Sequence, residues 1–333
     1  GVFLSYLLNG SKKREIAKMA QGVSVMHLYN SQLVNLNIEI PKLKEQQKIA
    51  ATLTSLDDLI AVETEKLEAL KEHKKGLLQQ LFPAKGEKVP KLRFGEFSRE
   101  WELKKFSNYI KLYRGSSPRP IKKYLTTDKD GVNWIKIGDT KSVDNFTLTK
   151  VSEKITSKGA EKSRKVRKGE LILANSMSYG ATYQLDLAGC IYDGWFVLRE
   201  FESFFDKQFL LQLLNSNYMQ IQYKRLAAGG IVQNISSEIV YNTMLPRPSI
   251  LEQEKIANCL YTVDELVTSQ SEMSLLKKPL FKNISFMFIT LLTSHCEISL
   301  LKALALNILF IFCTLLTSHC DKSLLKELVL ENI

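Results

Sequence analysis

Cysteine and histidine are scarce in this 333-residue chain, with five of the first and four of the second. Cys190, Cys259, Cys296, Cys313 and Cys320 are irregularly spaced and include no CxxC pair. An odd, scattered set of this kind makes no disulfide framework and fits a reducing compartment, the cytoplasm. His27 and His73 stand alone in helical or polar contexts, where a surface position is expected rather than catalysis. Catalytic signatures are missing as well. There is no GxxxxGK[ST] loop, which excludes a P-loop motor ATPase. No glycine-rich strand–helix motif for S-adenosylmethionine is evident, and no Asn-Pro-Pro-aromatic motif, HExxH or GxSxG occurs. We therefore expect no catalytic residue, no metal ligand and no cofactor on this chain. The opening GVFLSYLLNGSKKRE lacks the basic-then-apolar order of a signal peptide and has no initiator Met, so a fragment of a longer chain is expected.

What is present is charge of one sign. Lys and Arg number 46 against 35 Asp and Glu, a formal net charge of +11. Such an excess favours polyanionic partners, nucleic acid first. The composition is otherwise that of a globular chain with room for two modest domains, 45% hydrophobic and 24% charged.

A long internal repeat organises the chain. Residues 5–65 resemble residues 211–272. Leu7-Leu8-Asn9 matches Leu213-Leu214-Asn215. After a one-residue gap the offset is 207, so Gly22 falls on Gly229, Pro41 on Pro248 and Glu45-Gln46 on Glu252-Gln253. Lys48-Ile49-Ala50 then falls on Lys255-Ile256-Ala257, and Asp57-Asp58 on Asp264-Glu265. A convergent helix pattern explains matched Leu and Ile, but not Pro, Glu-Gln and Lys-Ile-Ala in one register. The period is too long for a solenoid. It implies two copies of a domain followed by a helix, with only the second domain whole.

The helices read as spacers. Leu53, Leu56, Ile60, Glu63, Leu67, Leu70, Lys74, Leu77 and Leu81 follow a 3–4 spacing, a coiled-coil-like stripe that Pro83 ends. Some 38 helical residues would span roughly 57 Å. Such a helix needs a partner for its stripe, and the repeat copy starting near Glu252 is the natural one. That copy continues through Ile256, Leu260, Val263 and Val267, but Ser274 and Lys277 stand where Leu67 and Leu70 would repeat, and Pro279 interrupts the interior. Beyond it, TLLTSHC recurs at 290–296 and 314–320, a tandem duplication that explains the pairs His295-Cys296 and His319-Cys320 without a metal site. The apolar run 303–316 is short for a membrane span.

Between the helices lies a mixed domain. VNWIKIG (132–138), ELILANS (170–176) and CIYDGWFVLRE (190–200) predict strands, and 205–227 has helical periodicity. The fold class expected is α+β. Residues 91–245 hold 25 Lys/Arg against 16 Asp/Glu, a net +9. The densest stretch carries Lys158, Lys162, Arg164, Lys165, Arg167 and Lys168, which can neutralise phosphates. A second candidate patch is Arg114, Ser116, Ser117 and Arg119 with Lys122 and Lys123, where small residues let the backbone approach and Arg can bond guanine bidentately. A third is Asn175, Ser176, Ser178 and Tyr179 at a strand end, and Gln233 with Asn234 form a fourth. Ordinary turn chemistry is the alternative for each patch. Glu170 and Asp193 are the least implausible acids for a stand-alone nuclease.

At IPKLKEQQKIAATLTSLDDLI (40–60) and its copy LPRPSILEQEKIANCLYTVDELV (245–267) the chain resembles the specificity subunits of type I restriction–modification enzymes. VPKLRFGEFSREWELKKFSNYIKLYRGSSP (89–118) resembles the lead-in to a target-recognition domain of that family, and GELILANSMSYGATYQLDLAGCIYDGWFVL (169–198) its core strands. The resemblance covers roughly 1–275. It implies a non-catalytic subunit whose domain, a twisted sheet with helices, reads half of a bipartite site in double-stranded DNA. It implies two long helices paired as an antiparallel spacer, with Leu53, Leu56, Ile60, Leu67, Leu70, Leu77, Leu260, Val263 and Val267 in the packing stripe. Methyltransferase subunits and a motor-endonuclease subunit are the implied partners, with S-adenosylmethionine, ATP and magnesium on them. No membrane is implied. The expected division is 1–44, the end of a first recognition domain; 45–83, a spacer helix; 84–248, a recognition domain; 249–275, a shortened second helix; and 276–333, an atypical tail. Such a chain reads a half-site, or pairs with a second copy to read a symmetric one. The competing readings are a methyltransferase-binding scaffold or remnant without DNA recognition, and the nuclease.

Overall fold

The computed structural model describes residues 1–20, 26–84, 86–141, 143, 145–176, 180–227 and 234–293, the side chains of 227 and 276–293 excepted. The chain opens with helices α1 (Val2–Asn9), α2 (Lys13–Met19) and α3 (Asn30–Leu33), then α4 (Leu43–Gln80). Strands β1 (Glu102–Lys105), β2 (Lys111–Arg114), β3 (Leu125–Thr126), β4 (Val132–Ile135), β5 (Thr147–Leu148) and β6 (Glu153–Ile155) follow. After α5 (Ser157–Glu161) come β7 (Arg164–Val166), β8 (Leu171–Ala174), β9 (Thr182–Leu185), β10 (Gly189–Ile191) and β11 (Trp195–Arg199). The described part ends with α6 (Lys207–Asn215), α7 (Asn217–Ala227), α8 (Ser237–Tyr241), β12 (Met244–Arg247) and α9 (Ile250–Thr293). The class is α+β. Two compact units are present, Gly1–Leu70 with Leu266–Ile333, and Lys71–Glu265.

In the second unit the strands form two five-stranded sheets, ordered β3-β6-β4-β10-β7 and β2-β11-β8-β9-β5, beside a two-stranded pair β1-β12. The sequence Leu-Ile-Leu-Ala of β8 is buried at all four positions. Side chains alternate across a strand, so a wholly apolar strand has to be covered on both faces. Leu171 and Leu173 of β8, with Phe196 and Leu198 of β11, enter a core shared with α6, α7, α8 and the start of α9. Ile172 and Ala174, with Trp195 and Val197, face the other way, toward Ile135, Val166 and Ile191 of the second sheet. The single run 190–200 is thus two strands in two sheets, divided by the turn at Asp193-Gly194. The expected helix 205–227 is likewise two, α6 and α7. Ser216 breaks it with extended backbone while its hydroxyl donates to the Leu213 carbonyl at 2.5 Å. Asp206 caps α6 by accepting from the Phe209 N–H at 2.8 Å.

The segment before β1 is fastened to α9 by a buried charge. Arg93 donates to the Glu252 carboxylate at 2.7 and 2.9 Å, and the Trp101 indole N–H donates to the same group at 3.0 Å. The Glu252 side chain is 3% exposed. Trp101 also stands edge-on to Phe209, 6.0 Å between centroids. At the far end of this segment Glu102 accepts from Arg247 Nε at 2.9 Å and from Tyr109 Oη at 3.0 Å, and pairs with Lys104. Also within this unit, Lys74 of α4 pairs with Asp264 of α9 and lies 5.5 Å over the Phe146 ring. Leu77 is half-buried against the helical core, and Leu260 and Val263 are buried.

In the first unit Leu53, Leu56 and Leu67 of α4 are buried, and Ile60, Leu70 and Val267 are half-buried. Gln270 donates to the backbone carbonyl of Glu63 at 3.4 Å and also meets its carboxylate. These two residues are 207 positions apart and so are counterparts in the repeat. Copies of one position meet in this way when two helices run antiparallel about a local two-fold.

The repeat is structural. Tyr6 Oη donates to Asp57 at 2.6 Å, and Gln212, its counterpart, donates to Asp264 at 3.2 Å. Gln46 donates to the Pro41 carbonyl at 2.7 Å, and Gln253 to the Pro248 carbonyl at 3.1 Å. Helices α1, α2 and α3 precede α4 in the order in which α6, α7 and α8 precede α9. The α9 helix is longer than the shortened spacer expected at 249–275, running through Pro279 to Thr293. A proline removes one N–H bond at a cost of about 3 kcal/mol, which bends a helix without having to end it. The duplicated tail from 294 lies outside the described residues.

Replacing Arg93 with Ala leaves the Glu252 carboxylate and its buried surroundings without a cation, so urea unfolding should register a loss of about 3–5 kcal/mol, with Lys restoring only part of it. The acid limb gives a second check. Hydrogen bonds from Lys104, then Arg247 and Tyr109, hold the Glu102 carboxyl at about 2 against its ordinary 4.5. A depressed carboxyl contributes stability above 4.5 that drains away as pH falls toward 2. Glu102 is a third exposed, so screening keeps the effect small. Glu102→Gln should flatten stability against pH across that window, and an unchanged slope would show that these bonds do not hold the charge.

Candidate nucleic-acid interface

Residues far apart in sequence meet at one end of the sheet β2-β11-β8-β9-β5. Gly115 follows β2 and presses onto the opposite backbone, donating to the Trp195 carbonyl at 2.9 Å. A Cβ there would lie 2.0 Å from the Tyr192 carbonyl oxygen, so only glycine fits. This approach brings Arg114, Ser116 and Ser117 against the Tyr192–Gly194 turn. Arg114 Nε donates to the Asp193 carbonyl at 3.2 Å, and Asn175 Nδ2 donates to the same oxygen at 2.9 Å. The Ser117 hydroxyl donates to the Asp193 carboxylate. That bond, helped by the charges of Arg119 and Arg114, holds the Asp193 carboxyl below its ordinary range against the opposing effect of burial.

The basic stretch joins from the second sheet. Arg164 of β7 donates to the Arg114 carbonyl at 3.2 Å, and Ser116 donates to the Lys162 carbonyl at 3.3 Å. Lys162 itself donates to Tyr124 Oη at 2.8 Å and lies over that ring. The Tyr113 ring carries two guanidinium groups, Arg164 at 5.7 Å and Arg199 at 5.6 Å. Asn234 closes the site through a bridge to Ser176, while Ile235 N–H donates to the Asn175 carbonyl at 2.8 Å. The cleft so formed measures about 350 Å³ and is lined by Leu112, Arg114, Asn175, Phe196 and 234–237. Arg114 keeps most of its N–H fork clear of the described residues, and exposed Asn234 makes no side-chain hydrogen bond to one. Both can therefore donate to a ligand in the cleft.

Of the candidate residues, Arg114, Ser116, Ser117, Lys162, Arg164, Asn175, Ser176 and Asn234 come together here. Arg119 is exposed and near enough to influence Asp193. Lys122 and Lys123 sit on an exposed turn, Lys158 on α5 and Lys165 on the outer face of β7, none with an ion pair among the described residues. Arg167 and Lys168 line a different cleft, with Glu170, Arg199 and Phe201, and Lys168 pairs with Asp186 at 2.8 Å. Ser178, Tyr179 and Gln233 lie outside the described residues. Tyr113 and Arg199 were not anticipated. The only sequence signal for them was alternation along a strand, which does not tell a surface aromatic from a platform for arginines. The two acids considered for a nuclease are separately engaged, Asp193 as above and Glu170 by Arg199 Nε and the Arg167 N–H, both at 2.7 Å. Among the described residues no group of three or more His, Cys, Asp or Glu is placed to hold a metal ion, and no helix is long and apolar enough to cross a membrane.

Comparison with known proteins bears on this geometry. Residues 2–72 match the type I restriction modification DNA specificity domain. The chain is 26% identical over 279 residues to the type I restriction enzyme MjaVIII specificity subunit of Methanocaldococcus jannaschii, covering 79% of this chain and 64% of that protein. The chain thus spans less than two thirds of that relative. Its fold resembles the HsdS subunit of Thermoanaerobacter tengcongensis, with TM-score 0.54 and 18% identity over 87% of this chain and 69% of the other. A chain from a structural study of complex assembly in the type I R-M system gives TM-score 0.59 and 19% identity over 85% and 69%. The matched domain over residues 2–72 and the sequence likeness make the chain similar to specificity subunits of type I restriction–modification systems, and the solved structures share its fold.

Proposed function

We propose that the second unit recognises a short DNA sequence, and that the chain directs methyltransferase and endonuclease subunits to a bipartite site. The observation that carries this reading is the cleft where Arg114, Asn175 and Asn234 converge beside the arginines stacked on Tyr113. Arg164, Lys165 and Arg199 suit phosphates, a sequence-independent grip that positions the duplex. Arg114 and Asn234 suit base edges, since Arg forks pair with guanine and Asn with adenine. Asp193 organises the cleft, its main-chain oxygen orienting Arg114 and Asn175 together. Methyltransferase subunits dock on the long helices, and a motor-endonuclease subunit joins them. S-adenosylmethionine, ATP and magnesium belong to those partners, and the complex works in the cytoplasm. A second copy of the chain supplies the other half-site.

The decisive experiment mixes the chain with its methyltransferase subunit and a randomised DNA pool and sequences what is retained. One short enriched motif is the expected result, and an inverted pair at fixed spacing would mark a dimer. Complex formation without enrichment would replace this reading with a scaffold that does not read DNA. Arg164→Ala with Lys165→Ala should weaken binding to all sequences and flatten the dependence of log K on log salt by roughly 2, about 0.9 for each phosphate that is no longer neutralised. An unchanged slope removes β7 from the interface. Asn234→Ala should instead leave the slope alone and relax one position of the motif, by about 1–3 kcal/mol of discrimination.

A further inference from the structure

The chain leaves β11 at Glu200 with a φ of 64°, a left-handed backbone conformation that only Phe146 shares among the described non-glycine residues. A residue with a Cβ is disfavoured there, and glycine is the usual occupant. The turn itself has a plain purpose. It carries the chain from Arg199, the last residue of β11, to Phe201, which is 3% exposed in the helical core. Glycine would make that turn with less strain. Strain of this kind persists where the surrounding structure and the function require the side chain.

The Glu200 carboxylate holds two groups of β2. Tyr113 Oη donates to it at 2.9 Å, and Lys111 pairs with it at 2.5 Å. Strands β2 and β11 are antiparallel neighbours, with Arg199 opposite Lys111 and Val197 opposite Tyr113. The phenol is thereby fixed at its outer end, while its ring carries the Arg164 and Arg199 guanidinium groups. Each cation has a second hold, Arg199 on Glu170 at 2.7 Å and Arg164 on the Arg114 carbonyl at 3.2 Å. Two guanidinium groups on one ring repel each other, and a phosphate would relieve that repulsion. The ring is the part common to both, and Glu200 orients the ring.

We infer that Glu200 is a positioning residue of the phosphate grip. It fixes the Tyr113 phenol so that the ring presents Arg164 and Arg199 together to one stretch of DNA backbone. The inference rests on the DNA reading above. It runs against simple charge. An exposed carboxylate beside the grip repels phosphates, and its removal would also release Lys111 as a further cation. Coulomb attraction alone therefore predicts tighter binding without Glu200, whereas positioning predicts weaker binding.

The test measures binding of a duplex of unrelated sequence by the full chain with its methyltransferase subunit. Glu200→Gly removes the carboxylate and relieves the backbone, so the thermal midpoint should hold or rise. DNA affinity should nevertheless fall by about fivefold, the worth of one hydrogen bond. Tyr113→Phe keeps the ring and every charge and should weaken binding equally, with no further loss when the two are combined. Glu200→Gln keeps an acceptor for the phenol and should restore most of the affinity. Without DNA, the Arg164 and Arg199 Nε–H resonances, shifted by the Tyr113 ring, should move toward solvent-exposed values in Glu200→Gly and in Tyr113→Phe. Tighter or unchanged binding in Glu200→Gly, additive losses, or unmoved arginine resonances would overturn the inference while wild-type binding leaves the DNA reading intact. A wild-type complex that binds no DNA would remove the proposed function, and the inference with it.

Discussion

A sheet that is apolar on both faces has to be covered twice, and the second unit is built around that constraint. Strands β8 and β11 send Leu171, Leu173, Phe196 and Leu198 to one side and Ile172, Ala174, Trp195 and Val197 to the other. The helices α6 to α8 and the start of α9 cover the first side, and the other five-stranded sheet covers the second. Burial of each large apolar side chain is worth about 1.5–3 kcal/mol, so neither layer can be peeled away cheaply. The candidate interface is a by-product of this stacking. Where β2 and β11 leave the core, their ends meet a turn from the second sheet, and polar groups from both layers come within hydrogen-bond distance there.

That arrangement separates the groups that hold the cleft from those left free to donate into it. Asp193 is charged and pinned by Ser117 within a basic neighbourhood, and its backbone oxygen takes donors from Arg114 and Asn175. The half-buried Asp193 and Ser117 are satisfied internally and set geometry. The groups with donors left over, Arg114 and Asn234, face the cleft. The arginines on Tyr113 are held by ring faces and, for Arg199, by Glu170, which orients a cation without removing it from solvent.

The repeat gives the chain an internal comparison. Matching hydrogen bonds, Tyr6 to Asp57 and Gln212 to Asp264, recur although the donor residue differs. The contact between the helices is therefore kept where the side chain that makes it is not.

Much of this was legible in the residues themselves. The offset of 207, the stripe on α4 and the α+β class follow from periodicity and identity, which are properties of neighbouring positions. The 38 residues expected for the spacer are the length of α4. Strand-rich runs were legible as runs, but not their partition. The segment 190–200 belongs to two sheets because a tight turn at Asp193-Gly194 lets each half follow a different apolar face, a choice made by partners elsewhere in the chain. Likewise the basic stretch was visible as charge, while its division into Arg164 at the cleft and Arg167 and Lys168 at another was not. Strand direction and pairing decide that. Sequence by itself determined the repeat, the helices and the net positive charge, because these rest on local spacing and composition. Only the tertiary structure decided which of the cationic and polar side chains share a surface, because that depends on contacts between residues such as Arg114, Asn175 and Asn234, which the chain brings together only by folding two sheets against one another.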